Sequence, residues 1–232
     1  MLTYAYEEGV ITNLPLSPKI PRKDSPRSSF TEDEYKKLLN VARRLADTGI
    51  KVRGIPLTME LYYFIVLVVH TFMRPTEGEI FNIKHQDIKE LKNGESLEIS
   101  CITGKTGTRV LNTTKDAVEM YDKLKKIHLD HKDSDYILFP QYKNRTTALK
   151  TVNRLFNYVL EEASLKINTQ GKTLVPYSLR HYALRTRIRK SKGKINVFIL
   201  AKNAGTSVSQ LERFYINQME LSEDERKNLL IK

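Results

Sequence analysis

The sequence predicts an α+β fold that is mainly α-helical and contains one small antiparallel β-sheet. Several segments combine a helix-start pattern with apolar residues at helical spacing, and residues 97–111 contain two short predicted strands around a glycine-flanked turn. The chain has 232 residues, of which 40% are hydrophobic, so it is long enough to bury a real core in one large or two small domains.

The first 28 residues differ in composition from the rest of the chain. Four of the eight prolines lie here and alternate with basic side chains, a pattern typical of an extended linker. These basic residues are Lys19, Arg22, Lys23 and Arg27. Because Leu2–Gly9 resembles the end of a helix, we expect residues 1–28 to be the end of a preceding domain and a linker, and residues 29–232 to form the main domain.

The main domain begins with two helices of different character. Thr31 and Glu34 form a capping-box pattern, which predicts a helix through about Leu45. Residues 57–71 are apolar nearly all round, which predicts a buried helix. The next segment, RPTEGEIFNI, breaks that helix, and Thr76 with Glu79 predicts the capped start of another short helix.

A β-hairpin and further helices are predicted in the remainder. Leu97–Ile102 and Thr108–Leu111 are the predicted strands, and TGKTG between them is a tight turn. The further helices are predicted near residues 114–131, 145–164, 178–190, 194–203 and 207–216. The tail, residues 222–232, carries an apolar strip that suits packing either on its own domain or on a neighbouring copy.

The charge of the chain is strongly positive and unevenly distributed. The net charge is +12, and residues 141–215 contain fifteen Lys or Arg against three acids, so this segment carries the whole excess. Such a one-signed surface attracts a polyanion, of which nucleic acid is the usual one. A basic face that only keeps the protein soluble is the alternative.

Several classes of protein are excluded or disfavoured by composition. The single Cys101 excludes an internal disulfide framework and a cysteine zinc cluster, and it fits a reducing compartment. Residues 1–10 have acids where a secretory signal would be basic, and the longest apolar run, Leu61–Val69, is too short to span a bilayer. We therefore expect a cytoplasmic protein with no cysteine zinc site and no membrane partner.

The stretch VPYSLRHYALR places Tyr177, Arg180 and His181 at the start of a predicted helix. Guanidinium forks match phosphate geometry, so Arg180 and Arg74 together would be able to grip one phosphodiester without a metal. Arg74 directly follows the predicted buried helix, where a cation that only serves the helix dipole is the alternative.

Three further residues suit phosphoryl transfer, each with an ordinary alternative. Glu77 would orient Arg74 or simply favour a helix N-terminus. Lys105, at the hairpin tip, would protonate a leaving alkoxide, because an ammonium releases its proton more readily than a guanidinium; otherwise it is a solubilising turn residue. Tyr215 would be a nucleophile if cations stabilise its phenolate, although tyrosines more often serve packing.

In this order and spacing, the residues resemble the catalytic domain of tyrosine recombinases, the phage integrase family. The family pattern is Arg followed by Glu or Asp, Lys on a β-hairpin, His-x-x-Arg, His or Trp, and Tyr. The matching residues are Arg74, Glu77, Lys105, Tyr177, Arg180, Thr206 and Tyr215. The resemblance extends from about residue 29 to the end, and it implies that residues 1–28 are the tail of the family's core-binding domain and the interdomain linker.

The resemblance implies a transesterification without metal, cofactor or ATP. Arg74 and Arg180 would clamp the scissile phosphate, and Tyr215 would attack phosphorus to give a 3′-phosphotyrosyl link. Lys105 would protonate the leaving 5′-oxygen. The implied partner is double-stranded DNA, with a homotetramer acting on DNA through a Holliday junction, a monomer in free solution, and a nucleoid-associated location.

Two positions depart from the family pattern. Tyr177 stands where the family usually has His, and Thr206 stands where it has His or Trp, so both sites would supply neutral hydrogen-bond donors. His181 matches the histidine that often follows the second arginine and is expected to support the site. These departures leave open a catalytically impaired DNA-binding protein, and the shared chemistry leaves open a topoisomerase IB-like enzyme or a telomere resolvase.

We expect the DNA contacts to be mainly to phosphates, which position a protein without identifying bases. Arg185 and Arg187, in a basic run after Arg180, are the expected contacts in the main domain, and the four basic linker residues would follow the duplex. Affinity for DNA should then fall steeply with salt. A basic helical protein with coincidental motifs is the remaining alternative.

Overall fold

The computed structural model describes residues 2–13, 28–91, 94–104, 107–168, 171–213 and 226, without the side chains of residues 2, 3 and 102–104. These residues form eight α-helices and five β-strands. The helices are α1 (Leu2–Glu7), α2 (Glu32–Asp47), α3 (Met59–Thr71), α4 (Lys115–Ile127), α5 (Arg145–Glu162), α6 (Pro176–Lys190), α7 (Val197–Ala204) and α8 (Val208–Leu211). The strands are β1 (Lys51–Val52), β2 (Ile55–Pro56), β3 (Ile88–Glu90), β4 (Leu97–Gly104) and β5 (Gly107–Asn112).

The centre of the described domain is α3. Its side chains are apolar on every side, and Leu61, Phe64 and Ile65 are completely buried. Helices α2, α4, α5 and α6 pack around it. Residues 178–184 of α6 are all buried, and its exposed residues lie in its last turns. An all-apolar helix is stable in water only when it is surrounded in this way, so α3 fixes the layout of the fold.

The capping pattern at α2 is confirmed in detail. Thr31 Oγ1 accepts a hydrogen bond from the Glu34 backbone amide at 3.2 Å, and Glu34 Oε2 accepts one from the Thr31 amide at 2.7 Å. The exchange satisfies two of the amides that a helix start otherwise leaves unpaired.

The strands form two antiparallel sheets. β1 pairs with β2, and the second sheet has the order β3-β4-β5. In the second sheet Ile88 is opposite Ile99 and Cys101 is opposite Arg109, with an irregular register between Cys101 and Gly104. The predicted hairpin is therefore confirmed as β4 and β5, whereas β1, β2 and β3 were not predicted.

The predicted helix start at Thr76 is wrong. The chain instead makes a short 3₁₀ helix at Ile80–Asn82, and Glu79 is the residue that precedes it. The Glu79 carboxylate cannot cap Thr76, because it is already bound by two arginine side chains and the Arg74 amide. Tertiary charge pairing has overridden the local capping pattern.

Candidate active site

Arg74 is delivered by the end of the buried helix. Phe72 takes a left-handed backbone conformation, with φ of 58°, and ends α3. Met73 is then fully buried, and the next residue, Arg74, turns outward with 14% of its side chain exposed. The buried helix α3 thus fixes the backbone position from which the Arg74 side chain extends.

Two groups hold the Arg74 side chain in place. Its Nη1 donates to Glu79 Oε1, and its Nη2 donates to the carbonyl oxygen of Gly205 at 2.5 Å. Burial lowers the pKa of Arg74, but the charge and hydrogen bond of Glu79, assisted by Tyr177, outweigh it and raise this pKa overall. The guanidinium is therefore a permanent, oriented cation.

Glu79 serves two arginines at once. Its carboxylate, only 1% exposed, also accepts a hydrogen bond from Arg109 Nη2 at 3.0 Å, and it accepts the Arg74 backbone amide at 2.7 Å. Burial raises the pKa of Glu79, but the hydrogen bonds and charges of Arg109 and Arg74 bring it below its usual value. The carboxylate is thus kept ionised between two positive charges.

Arg180 is placed by the first turns of α6. Pro176 occupies the first helical position, where a missing amide costs nothing, and Ser178 Oγ accepts the Val175 amide at 3.2 Å. The Arg180 side chain is 2% exposed, donating from Nη1 to the carbonyl of Phe72 and from Nη2 to that of Ala204 at 2.7 Å. The arginine therefore bridges the end of α3 and the end of α7.

The turn between α7 and α8 is where the two arginines meet. Gly205 has φ of 63° and ends α7, and the Thr206 amide donates to the Ala201 carbonyl at 2.9 Å. Arg74 binds the carbonyl of Gly205, and Arg180 binds the carbonyl of the residue before it. Two arginines far apart in sequence thus contact consecutive residues of one turn.

The structure brings three more predicted residues to the same region. The half-buried Tyr177 interacts with Arg74, and its ring centroid lies 5.3 Å from that of His181. His181 is 7% exposed, and the half-buried Thr206 is part of the arginine-bound turn. The phenol of Tyr177 therefore lies beside a permanent cation.

Glu77 does not orient Arg74, contrary to the sequence prediction. It is exposed, and its Oε2 accepts a hydrogen bond from the Thr146 hydroxyl at 2.5 Å, on α5. The carboxylate that binds Arg74 is Glu79, two residues later. Glu79 is buried beside Arg74, whereas Glu77 faces solvent.

Arg109 is a charged residue of this region that sequence reasoning missed. It lies on β5, where single arginines on exposed strands are ordinary, and only the pairing with Glu79 distinguishes it. Its position four residues after Lys105, in the same hairpin, was the one available indication.

Some predicted residues lie outside the described part of the chain. Others are described but do not belong to the turn between α7 and α8. Lys105, Tyr215 and the four basic linker residues Lys19, Arg22, Lys23 and Arg27 are outside the described residues. Of the predicted DNA contacts on α6, Arg185 is half-buried and Arg187 is exposed.

No group of three or more His, Cys, Asp or Glu side chains in the described ranges is arranged to hold a metal ion. No helix in those ranges has the length and apolar character needed to cross a bilayer.

The fold agrees with a comparison against protein families. The model of the Phage integrase family matches residues 28–195, and the chain belongs to this family. The match includes α2 to α6 and the residues Arg74, Glu79, Arg109 and Arg180. A search of curated proteins finds no match.

Solved structures share the fold at low sequence identity. A lambda integrase dimer bound to a COC′ core site matches with a TM-score of 0.63 and 20% identity, covering 95% of this chain and 72% of that one. XerH site-specific recombinase bound to difH substrate matches with a TM-score of 0.61 and 13% identity, covering 98% of this chain and 61% of that one. XerA recombinase matches with a TM-score of 0.57 and 16% identity, covering 98% of this chain and 71% of that one. These likenesses establish a tyrosine recombinase catalytic fold.

Proposed function

We propose that this protein is a site-specific DNA recombinase that cleaves and rejoins DNA strands through a 3′-phosphotyrosyl intermediate, without metal or ATP. The observation that carries the proposal is the meeting of Arg74 and Arg180 at the carbonyls of Gly205 and Ala204. Phosphoryl transfer depends mainly on positioning and charge neutralisation, and two fixed guanidiniums supply both.

In the proposed reaction the two arginines bind the non-bridging oxygens of one DNA phosphate. The Tyr215 oxygen bonds to phosphorus, the bond from phosphorus to the 5′-oxygen breaks, and Lys105 gives that oxygen a proton. The 3′-phosphate stays on Tyr215 as an ester, so the energy of the broken bond is kept. A 5′-hydroxyl then attacks phosphorus, releases Tyr215 and restores a continuous strand.

Tyr177 supports this chemistry as a neutral hydrogen-bond donor. It lies beside Arg74 and against His181, so it would direct its hydroxyl proton toward the same phosphate. The phenol of Tyr177 is a weaker proton acceptor than the imidazole of the usual histidine would be. The hydroxyl proton of Tyr215 would therefore be transferred to water instead of to Tyr177. Thr206 would donate a second neutral hydrogen bond from the turn. General-base help contributes about 10²–10⁴-fold, so the enzyme should be active but slow.

The proposed partner is double-stranded DNA, bound by a homotetramer that forms from monomers on the DNA. Support comes from the matched structures: one is described as a lambda integrase tetramer bound to a Holliday junction, and XerH is described as bound to difH. We propose a division at residue 28, close to the start of the family match, with residues 1–28 as the end of a core-binding domain and its linker.

A covalent trapping assay tests the proposal. A duplex nicked just 3′ of the scissile phosphate loses its short 5′-hydroxyl fragment after cleavage, so the protein–DNA adduct accumulates and is seen on a denaturing gel. We expect an adduct with the wild type and with the control Tyr158→Phe, and none with Tyr215→Phe. DNA binding without an adduct would instead identify a catalytically impaired DNA-binding protein.

A further inference from the structure

Arg109 is held at the arginine-bound turn by the sheet that carries it. It lies on β5, and the Asn112 amide on the same strand donates to Asn203 Oδ1 of α7 at 2.7 Å. The Asn203 side chain returns a hydrogen bond to the Asn112 carbonyl at 3.0 Å. This paired contact fixes β5 against α7, so the Arg109 side chain, 10% exposed, reaches Gly205.

The Arg109 guanidinium packs so closely on Gly205 that a side chain at position 205 would displace it. A Cβ on Gly205 would lie 2.5 Å from Arg109 Nη1 and 2.9 Å from its Nε. The Gly205 carbonyl is the group that accepts Arg74 Nη2. Arg109 therefore packs on the same peptide unit that Arg74 binds.

Because Arg74 and Arg109 share the Glu79 carboxylate, more positive charge remains available at the proposed phosphate site. Arg74 and Arg109 share the Glu79 carboxylate, and Arg180 binds the same turn through the Ala204 carbonyl, so these three guanidiniums and one carboxylate carry an excess of two positive charges. Without Arg109, Glu79 would be balanced by Arg74 alone and would draw that guanidinium fully toward itself. A buried ion pair of this kind is strongly perturbed when one partner is removed.

We propose that Arg109 is a positioning residue for strand cleavage, which acts on Arg74 by sharing Glu79 and by packing against Gly205. This inference rests on the proposed function, because it assigns Arg109 a part in the same reaction. Because Arg109 takes up part of the negative charge of Glu79, the positive charge of Arg74 remains available to the phosphate. Because Arg109 packs on Gly205, the orientation of Arg74 is kept. Its fork is required, because one edge binds Glu79 while the Nε side lies against the turn, where the described residues offer it no acceptor.

The test compares Arg109→Met and Arg109→Lys with the control Arg44→Met, which removes one exposed charge from α2. Adduct formation on the nicked duplex is followed in a single turnover at saturating DNA, and DNA affinity and thermal unfolding are measured alongside. We expect Arg109→Met to lower the cleavage rate constant about 10²-fold, since small misplacements of catalytic groups cost this much. Its Kd for DNA should change no more than that of Arg44→Met.

Two further results separate positioning from a purely structural role. Arg109→Lys should recover less than about a tenth of the lost rate, because one ammonium cannot both bind Glu79 and pack on the turn. The double variant Arg109→Met/Glu79→Gln should cleave no more slowly than Glu79→Gln alone, since residues acting through one another are not additive.

If the wild type cleaves DNA and Arg109→Met has the same cleavage rate constant as the control Arg44→Met, this inference is overturned and the proposed function is not. A loss explained entirely by unfolding, or a double variant whose losses multiply, would also overturn it. A wild-type protein that forms no adduct would overturn the proposed function and this inference with it.

Discussion

Glu79 accepts hydrogen bonds from two guanidiniums and one backbone amide in a buried position. Glu77, two residues earlier, is exposed and bonded to a threonine hydroxyl. The two carboxylates therefore form a natural pair for testing which one supports Arg74.

Glu79→Gln should slow adduct formation strongly, because Arg74 loses the charge that directs it. We expect a loss on the order of 10²-fold in the single-turnover rate constant, as for other misplaced catalytic groups. Glu77→Gln should cleave within a few-fold of the wild type, since its side chain contacts α5 and not Arg74. Equal losses in the two variants would contradict the assignment of Glu79.

His85 should make the folded protein sensitive to mild acid. Burial and the neighbouring His131 and His128 lower the pKa of His85 to about 4, against smaller opposing effects of Asp135 and Asp133. Its ring is stacked on His131 at 4.0 Å, and its Nδ1 lies 2.9 Å from the Tyr121 hydroxyl.

A lowered histidine pKa means that the unfolded chain takes up the proton first as the pH falls. The contribution of His85 is therefore complete above about pH 6.5 and is lost progressively toward about pH 4. We expect about 2 kcal/mol of unfolding free energy to be lost between about pH 7.5 and about pH 5 through this residue. Urea unfolding of His85→Gln should show a flatter pH dependence; an unchanged slope would refute this.

Among the helices, α2 and α3 offer a matched test of capping. Thr31 makes the side-chain capping bond of α2, whereas Thr58 precedes α3 without one. Thr31→Ala should lower the free energy of unfolding by about 1 kcal/mol, and Thr58→Ala by clearly less. Denaturant unfolding measures both; similar losses would show that the Thr31 cap does not stabilise α2.

Elements with a strong local pattern could be predicted from the sequence. The apolar run of α3, the capped start of α2 and the glycine-flanked hairpin of β4 and β5 are of this kind. β1 and β2 have two residues each, too few to show alternation, and their turn depends on positive φ at Arg53 and Gly54. β3 is fixed by pairing with β4, which no local pattern records.

The site was partly predictable because its residues belong to a family pattern. Arg74, Tyr177, Arg180 and Thr206 were found from order and spacing, and the structure groups them around one turn. Glu79 and Arg109 were not assigned, because their role depends on a contact between separate elements. Such long-range pairing leaves no periodic trace in the sequence.

Across the protein, the positive charge concentrated in residues 141–215 should dominate DNA affinity. We expect log K for a short duplex to fall linearly with log salt concentration. Replacing Arg185 and Arg187 together by Gln should reduce the size of this slope by about 0.9 for each phosphate contact removed. Fluorescence anisotropy at several salt concentrations measures this slope. A slope equal to that of the wild type would show that Arg185 and Arg187 do not contact the DNA.

A double-mutant cycle on Arg74 and Arg180 decides whether the two arginines hold a single phosphate. Arg74→Lys, Arg180→Lys and the double variant are compared in single-turnover cleavage of the nicked duplex, with folding checked for each. Each single variant should lose about 10²-fold or more, and the double variant little beyond the worse single one, because groups that act as a unit are not additive. Losses that multiply fully, or single variants that cleave like the wild type, would show that the arginines do not share one phosphodiester.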